Sequence, residues 1–411
     1  MNKETQFKTS TGFTWFLIAS LLVSLYFPSS IGGSIIEQLS LLGNSLALFL
    51  LLLGVFFCKV PLGSERVVLG LIFIIAISLL SFLSPFSEVT LGAVVPYVTL
   101  FIIVSVSYKN VYLSRRQLLF LFLFAIFQLI VAFMIVFSVS WVKAVFESFY
   151  QMVPDLYYYM IGWENKPVIT YATHSVAGFV FFVFSLVFLV LYYEVKGSFS
   201  RFAFLLISIL YSSLLVFIFS NTGLFLFVGM LFFYFYFSMK KSGVVFRFFL
   251  SFFVVSCFIY VFINYSDIIS LAYEKILEVL TSEHNGILAR LSMNSRLAGS
   301  YTYVFDNPLQ GVGFTYNANI AFGDNFISEY VLRGGFASYF IYLVLVLFFC
   351  FSNVSSKMMA SMLFAFILIS DFGYPLLVAY RFVFFFPIMI IIMNYIYREF
   401  HDKEHLRTHT R

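Results

Sequence analysis

Apolar runs long enough to cross a bilayer alternate with short polar breaks along most of this chain. A membrane-spanning helix needs ~20 mostly apolar residues. Twelve runs meet that description: 13–33, 39–58, 67–86, 91–108, 118–139, 175–193, 202–219, 223–239, 248–265, 335–352, 358–376 and 378–397. The fourth contains Pro96, the eighth is short, and the eleventh ends in Asp371, Gly373 and Pro375. The pattern predicts an all-α polytopic integral membrane protein, a single transmembrane domain of about 12 helices over residues 1–411. A first apolar run can be a cleaved signal peptide, but eleven more follow it, so an uncleaved first span is expected.

The positions of the cations orient this map. Cytoplasmic loops of membrane proteins carry an excess of Lys and Arg. With a cytoplasmic N-terminus, 17 of the 24 basic residues fall inside, among them Lys59, Arg66, Lys109, Arg115, Arg116, Arg201 and Arg398. The other 7 fall outside: Lys143, Lys166, Lys275, Arg290, Arg296, Arg333 and Arg381. One wrong span would invert every later loop, so the agreement supports the count. Both termini are expected in the cytoplasm.

Two polar breaks are long, 140–174 and 266–334, and both fall outside. Long loops in compact proteins are mostly functional or disordered, and these are too rich in apolar and aromatic residues for disorder. They read as two folded outer-face loops. The first carries Trp141, Phe146, Phe149, Tyr150, Tyr157, Tyr158, Tyr159 and Trp163, which suit an interfacial aromatic belt or a platform for stacking sugar rings. It ends in Lys166 and His174, at the mouth of the sixth span. The second opens with an amphipathic helix, Asp267 to Ser282, expected to lie along the membrane surface. A further helical stretch from about Gly286 to Phe305 should end at Asn307-Pro308, because proline restricts the residue before it and cannot continue the ladder.

Composition excludes other classes. The chain is 62% hydrophobic and 10% charged, where a soluble domain has roughly a quarter of its residues charged. The net charge of +5 sits in short runs between spans, a topology signal and not a nucleic-acid surface. Cys58, Cys257 and Cys350 lie in separate apolar runs and are expected as free, buried thiols. No acidic cluster or metal-ligand spacing stands out, so no metal is expected, and no phosphate-loop or dinucleotide motif points to a nucleotide cofactor.

The stretch NSRLAGSYTYVFDNPLQGVGF, Asn294 to Phe314, is followed by GDNFISEYVLRGG, Gly323 to Gly335, and then by a span. This arrangement resembles the signature of the O-antigen polymerase (Wzy) and O-antigen ligase superfamily: an Arg on a helix, about a dozen residues, an NPLxGvGf turn, a short hydrophilic stretch and Gly at the next span. The resemblance covers roughly 45 residues, with two large outer loops as its topological support. Many ligases carry His-Asn after the turn; here Asp324-Asn325 stands there, which favours a polymerase. The first loop has no Arg, only Lys143 and Lys166.

The resemblance implies a glycosyltransferase of the bacterial inner membrane. It would join undecaprenyl-diphosphate-linked oligosaccharide repeats on the periplasmic face. Its partners would be the lipid-linked substrate and membrane lipids, with room for a chain-length regulator and none for nucleic acid. The alternatives are the ligase, which hands the glycan to lipid A core, and a flippase or other transporter. A transporter places ionisable groups near the midplane, whereas here the polar residues gather in two loops. Such chemistry needs no cofactor, because the diphosphate is already a good leaving group. It needs cations to stabilise developing phosphate charge, which Arg does through bidentate hydrogen bonds. Arg296 matches the family position, and Arg290, Arg333, Arg381 and Lys166 are the further candidates. The acceptor hydroxyl benefits from a general base. Asp324 leads, with His174 and Glu329 behind it. Asp324 could instead cap the next helix, His174 could be an interfacial residue, and Glu329 stands four residues before Arg333, the spacing of an ion pair on a helix.

Overall fold

The computed structural model describes residues 3–27, 34–86, 88–150, 165–171, 173–195, 197–218, 220–241, 297–316, 320, 322–323 and 325–398. In chain order its helices are α1 (Lys3–Tyr26), α2 (Ser34–Phe57), α3 (Ser64–Leu83), α4 (Leu91–Ser105), α5 (Arg115–Val136), α6 (Ser140–Tyr150) and α7 (His174–Glu194). They continue with α8 (Ser198–Phe217), α9 (Asn221–Lys241), α10 (Ala298–Asp306), α11 (Leu332–Asn353), α12 (Lys357–Gly373), α13 (Tyr380–Val383) and α14 (Phe385–Tyr397). A π-helical turn, Ile327–Val331, leads into α11. Two short strands, β1 (Glu88–Val89) and β2 (Thr315–Tyr316), pair antiparallel, with Glu88 opposite Tyr316.

Among the described residues, five helical segments are long and apolar enough to cross a membrane: Ser64–Leu83, Arg115–Val136, His174–Tyr193, Ser198–Phe217 and Ile327–Asn353. Shorter apolar helices cover Thr11–Tyr26, Leu41–Phe57, Leu91–Ser105, Thr222–Tyr236 and Phe385–Tyr397. Together these suggest a multi-pass membrane protein. Every expected span among the described residues falls on a helix, though the boundaries shift. The first ends at Tyr26 instead of residue 33, and the twelfth is broken into α13 and α14. The ninth expected span, the amphipathic helix expected at Asp267 to Ser282, and Cys257 lie outside the described residues. Cys350 is buried and Cys58 half-buried, both as free thiols.

Local chemistry sets the helix ends. Ser114 and Gln117 form a reciprocal capping box: the Gln117 amide donates to Ser114 Oγ at 3.3 Å and the Ser114 amide to Gln117 Oε1 at 2.8 Å. Thr173 caps α7 by accepting from the Val176 amide at 3.2 Å. Helix α10 stops at Asp306, with Asn307-Pro308 directly after it, as the proline requires.

The core is mostly apolar and aromatic, with buried polar side chains set among it. Helix α7 packs along α8, α1 along α2, and α3 along α11. Isolated polar residues then join the helices, since lipid tails are as apolar as the core and van der Waals packing alone discriminates little between partners. Ser185 of α7 shares a 2.6 Å hydrogen bond with Ser212 of α8, and Tyr234 of α9 meets Ser208 at 2.6 Å. Tyr171 donates to Gln128 of α5 at 3.1 Å, and Gln128 in turn donates to Tyr26 of α1. Arg66 is buried at the start of α3, where Nη1 donates to the Val106 carbonyl at 3.0 Å.

Candidate functional site

The site begins with a break in α11. Gly335 has φ 67 and ψ 173, outside helical space, so the ladder is interrupted one turn into the helix. Carbonyls just before the break lose their intrahelical donors and must find others. The turn after α10 supplies them. The Val312 amide donates to the Leu332 carbonyl at 2.8 Å and the Gly313 amide to the Arg333 carbonyl at 2.8 Å. The Phe336 amide donates to the Pro308 carbonyl at 3.0 Å. The segments NPLQGVGF and LRGG are therefore hydrogen-bonded to each other.

Three glycines make this approach possible. A β-carbon on Gly311 would overlap the Arg333 carbonyl, one on Gly313 would overlap Ser81, and one on Gly335 would lie 2.6 Å from the Leu309 carbonyl oxygen. Gly313 and Gly335 also need positive φ, which glycine adopts without steric cost. On the far side, Ser81 of α3 accepts from the Phe314 amide at 2.7 Å, and the Thr90 amide donates to the Phe314 carbonyl at 3.2 Å.

This scaffold presents a buried ion pair. Arg333 Nε donates to Glu329 Oε1 at 2.7 Å, and both residues are 6% exposed. The Tyr97 hydroxyl of α4 donates to the same Oε1 at 3.0 Å. Arg333 Nη1 donates to the Gly313 carbonyl at 3.2 Å, and its guanidinium lies 4.3 Å from the centre of the Phe322 ring. Removing two charges from water is costly unless their remaining hydrogen-bonding groups are also met, and Tyr97 and Gly313 meet several of them. Asn325 sets the π-turn beneath. Its Oδ1 accepts from the Ile327 and Ser328 amides at 3.0 Å each, and its Nδ2 donates to Tyr301 of α10 at 2.6 Å. π-turns are rare and recur at functional sites.

A cavity of about 170 Å³ opens beside the pair, walled by Glu329, Arg333, Gly323, Pro96, Tyr374 and Pro375 among others. A β-carbon on Gly323 would lie 3.8 Å from Glu329 Oε2, so that oxygen faces the cavity wall while Oε1 is fixed by two donors. Pro96 sits inside α4. It lacks the amide that would bond the Gly92 carbonyl one turn back, and Gly92 lines the cavity as well. One layer away, the ring of Tyr330 stacks on Tyr342 at 4.0 Å. The Tyr342 hydroxyl donates to Asp371 Oδ2 at 2.9 Å, and Asp371 is fully buried, its Oδ1 without a hydrogen-bond partner among the described residues.

Of the residues singled out from sequence, the structure brings Glu329 and Arg333 together as the expected i,i+4 pair. His174 opens α7 and Lys166 lies in the segment before it; neither is in the cavity wall among the described residues. Arg381 belongs to α13, which packs against α4 and α7. Arg290, Arg296 and Asp324 lie outside the described residues. Sequence reasoning missed Tyr97 and the Gly313 carbonyl as partners of the pair, and it did not pair Asp371 with Tyr342. Pro96 inside a span was the signal for the first; only the pairing of distant segments reveals the second. No group of three or more His, Cys, Asp or Glu able to hold a metal occurs among the described residues. No protein-family model, curated protein or solved structure matches the chain.

Proposed function

We propose that the chain is a surface-polysaccharide polymerase, a glycosyltransferase joining undecaprenyl-diphosphate-linked oligosaccharide repeats on the periplasmic face of the bacterial inner membrane. In this reading it crosses the bilayer twelve times with both termini in the cytoplasm, and segments 140–174 and 266–334 face the periplasm. The observation that carries it is the hydrogen-bonded union of the NPLQGVGF turn with the LRGG segment, around the buried Glu329–Arg333 pair. That union supports reading the two segments as parts of one site.

The chemistry follows from the free atoms. The acceptor hydroxyl attacks the anomeric carbon, a new C–O bond forms, and the bond from that carbon to the diphosphate oxygen breaks. The electron pair leaves with undecaprenyl diphosphate. Glu329 lines the cavity, and its Oε2, the oxygen that holds neither Arg333 nor Tyr97, takes the hydroxyl proton. Arg333 Nε and Nη1 are committed to Glu329 and Gly313, which leaves Nη2 for a phosphate oxygen. Glu329 neutralises the single charge of Arg333, so a diphosphate needs further cations, and Arg296, Arg290, Arg381 and Lys166 are the candidates. The cavity is smaller than the roughly 300–1,000 Å³ of drug-sized sites. It suits a phosphate-sized group, with the sugars extending past Gly323 towards the outer loops.

The test is reconstitution. Purified protein in liposomes is given the lipid-linked repeat, and products are resolved by length. A ladder of polymer with release of undecaprenyl diphosphate is expected. Transfer to lipid A core without a ladder would make it a ligase, and movement of substrate without bond formation a transporter.

A further inference from the structure

A second cavity, of about 110 Å³, lies between α1, α5, α7 and α14. It shares no residue with the first. Its wall is apolar and aromatic, with Leu118 and Phe122 from α5, Val187 and Phe188 from α7, and Met389 and Ile392 from α14. Phe122 is 36% exposed, so the slot reaches the outer surface of the bundle there.

Two arginines stand in the first turn of helices whose side chains line the slot or pack on its lining residues, Arg115 on α5 and Arg201 on α8. Arg115 precedes Leu118 by three residues and Phe122 by seven, so it continues the same face of α5. Arg201 starts the matching stripe on α8. Phe204, three residues on, meets Phe122 at 6.4 Å and Phe188 at 6.1 Å between ring centres. The Arg201 guanidinium lies 5.1 Å from the centre of the Tyr192 ring, four residues beyond Phe188. Its Nε is shielded from solvent and has no hydrogen-bond partner among the described residues. An unmet guanidinium donor beside a slot with apolar walls calls for a ligand with an anionic head and a hydrocarbon tail. Basic pockets between membrane helices bind anionic lipid headgroups in this way.

We propose that the slot receives a short segment of one acyl chain of an anionic glycerophospholipid, the rest of the chain lying along the outer surface of the bundle, with its phosphate bound by Arg115 and Arg201. The site is separate from the glycosyl-transfer site and does not depend on that reading. A zwitterionic lipid offers the same phosphate, but its ammonium opposes the two arginines, so net headgroup charge sets the preference.

The experiment is native mass spectrometry of the full chain in mild detergent, with equimolar phosphatidylglycerol and phosphatidylethanolamine. Wild-type protein should retain the anionic lipid on the order of tenfold better, from favourable contact with two surface cations. R115Q/R201Q should erase the preference, and Arg116→Gln, on a different face of α5, should keep it. Val187→Trp, which fills the slot, should lower retention of both lipids. Equal retention by wild-type protein overturns the proposal. So does a preference that survives R115Q/R201Q, or displacement of the glycerophospholipid by an equal concentration of polyprenyl monophosphate. If R115Q/R201Q does not fold, wild-type preference and Val187→Trp together decide.

Discussion

Gly313 and Arg333 exchange two hydrogen bonds: the Gly313 amide donates to the Arg333 carbonyl at 2.8 Å, and Arg333 Nη1 donates to the Gly313 carbonyl at 3.2 Å. Main chain and side chain of one arginine are held by one glycine twenty residues earlier. The guanidinium is aimed by the turn, and the turn is placed by the helix break at Gly335.

That coupling makes Gly311 sensitive. Gly311→Ala forces a β-carbon into the Arg333 carbonyl, a backbone neighbour that cannot swing aside. Overpacking of this kind costs typically about 1–3 kcal/mol. The melting temperature of detergent-solubilised protein should fall, whereas Gly373→Ala, whose β-carbon meets nothing within 4 Å, should melt near wild type. Equal melting of both variants would contradict the docked turn.

The ion pair predicts a non-additive cycle. Arg333→Met strands the Glu329 carboxylate in a buried site, and breaking a buried pair from one side costs about 3–5 kcal/mol. The double variant Arg333→Met/Glu329→Gln removes both charges and should lose less stability than the two single variants combined. Additive losses in thermal melts would show that the two side chains act independently.

The base can be sorted by three isosteric or truncating changes. Glu329→Gln should lose the chemical step by roughly 10²–10⁴-fold in the reconstituted assay, the range for a missing general base, while still binding lipid-linked substrate. Asp324→Asn and His174→Ala should keep most activity. Loss confined to Asp324→Asn would move the base into the hydrophilic stretch before the π-turn, and loss confined to His174→Ala would move it to the start of α7. Arg296→Ala should abolish polymer at normal protein abundance, and Arg296→Lys should restore it only partly, since Lys lacks the bidentate fork.

Asp371 gives a stability prediction. Tyr342 is the donor to its Oδ2, and its Oδ1 has no hydrogen-bond partner among the described residues. Tyr342→Phe removes that bond and should cost about 1–3 kcal/mol. Asp371→Asn keeps an acceptor for Tyr342 and removes a buried acid, so it should melt close to or above wild type. A reversed order of melting temperatures would mean that Asp371 is satisfied by a group outside the described residues.

Topology is tested by reporter fusions. A fusion after Ser220 should report the periplasm and one after Lys241 the cytoplasm; the opposite pattern would falsify the twelve-span map.

The sequence by itself determined the helices. Apolar runs of about 20 residues have one stable backbone solution in lipid, because every amide must bond within its own segment, so the hydrophobic pattern locates α3, α5, α7 and α8 directly. Asn307-Pro308 likewise ends α10 from local sterics, and the four-residue spacing of Glu329 and Arg333 is a local pairing on consecutive turns. Tertiary structure alone decided what that pair faces. Tyr97 lies 232 positions before Glu329, and no local rule connects them. The break in α11 was visible only as two adjacent glycines, Gly334 and Gly335. Their effect, freeing carbonyls that capture Val312 and Gly313, depends on where the turn is carried by α10 and Ser81. Periodicity and sterics act within a few residues; the cavity exists because segments far apart in sequence satisfy each other's backbone groups.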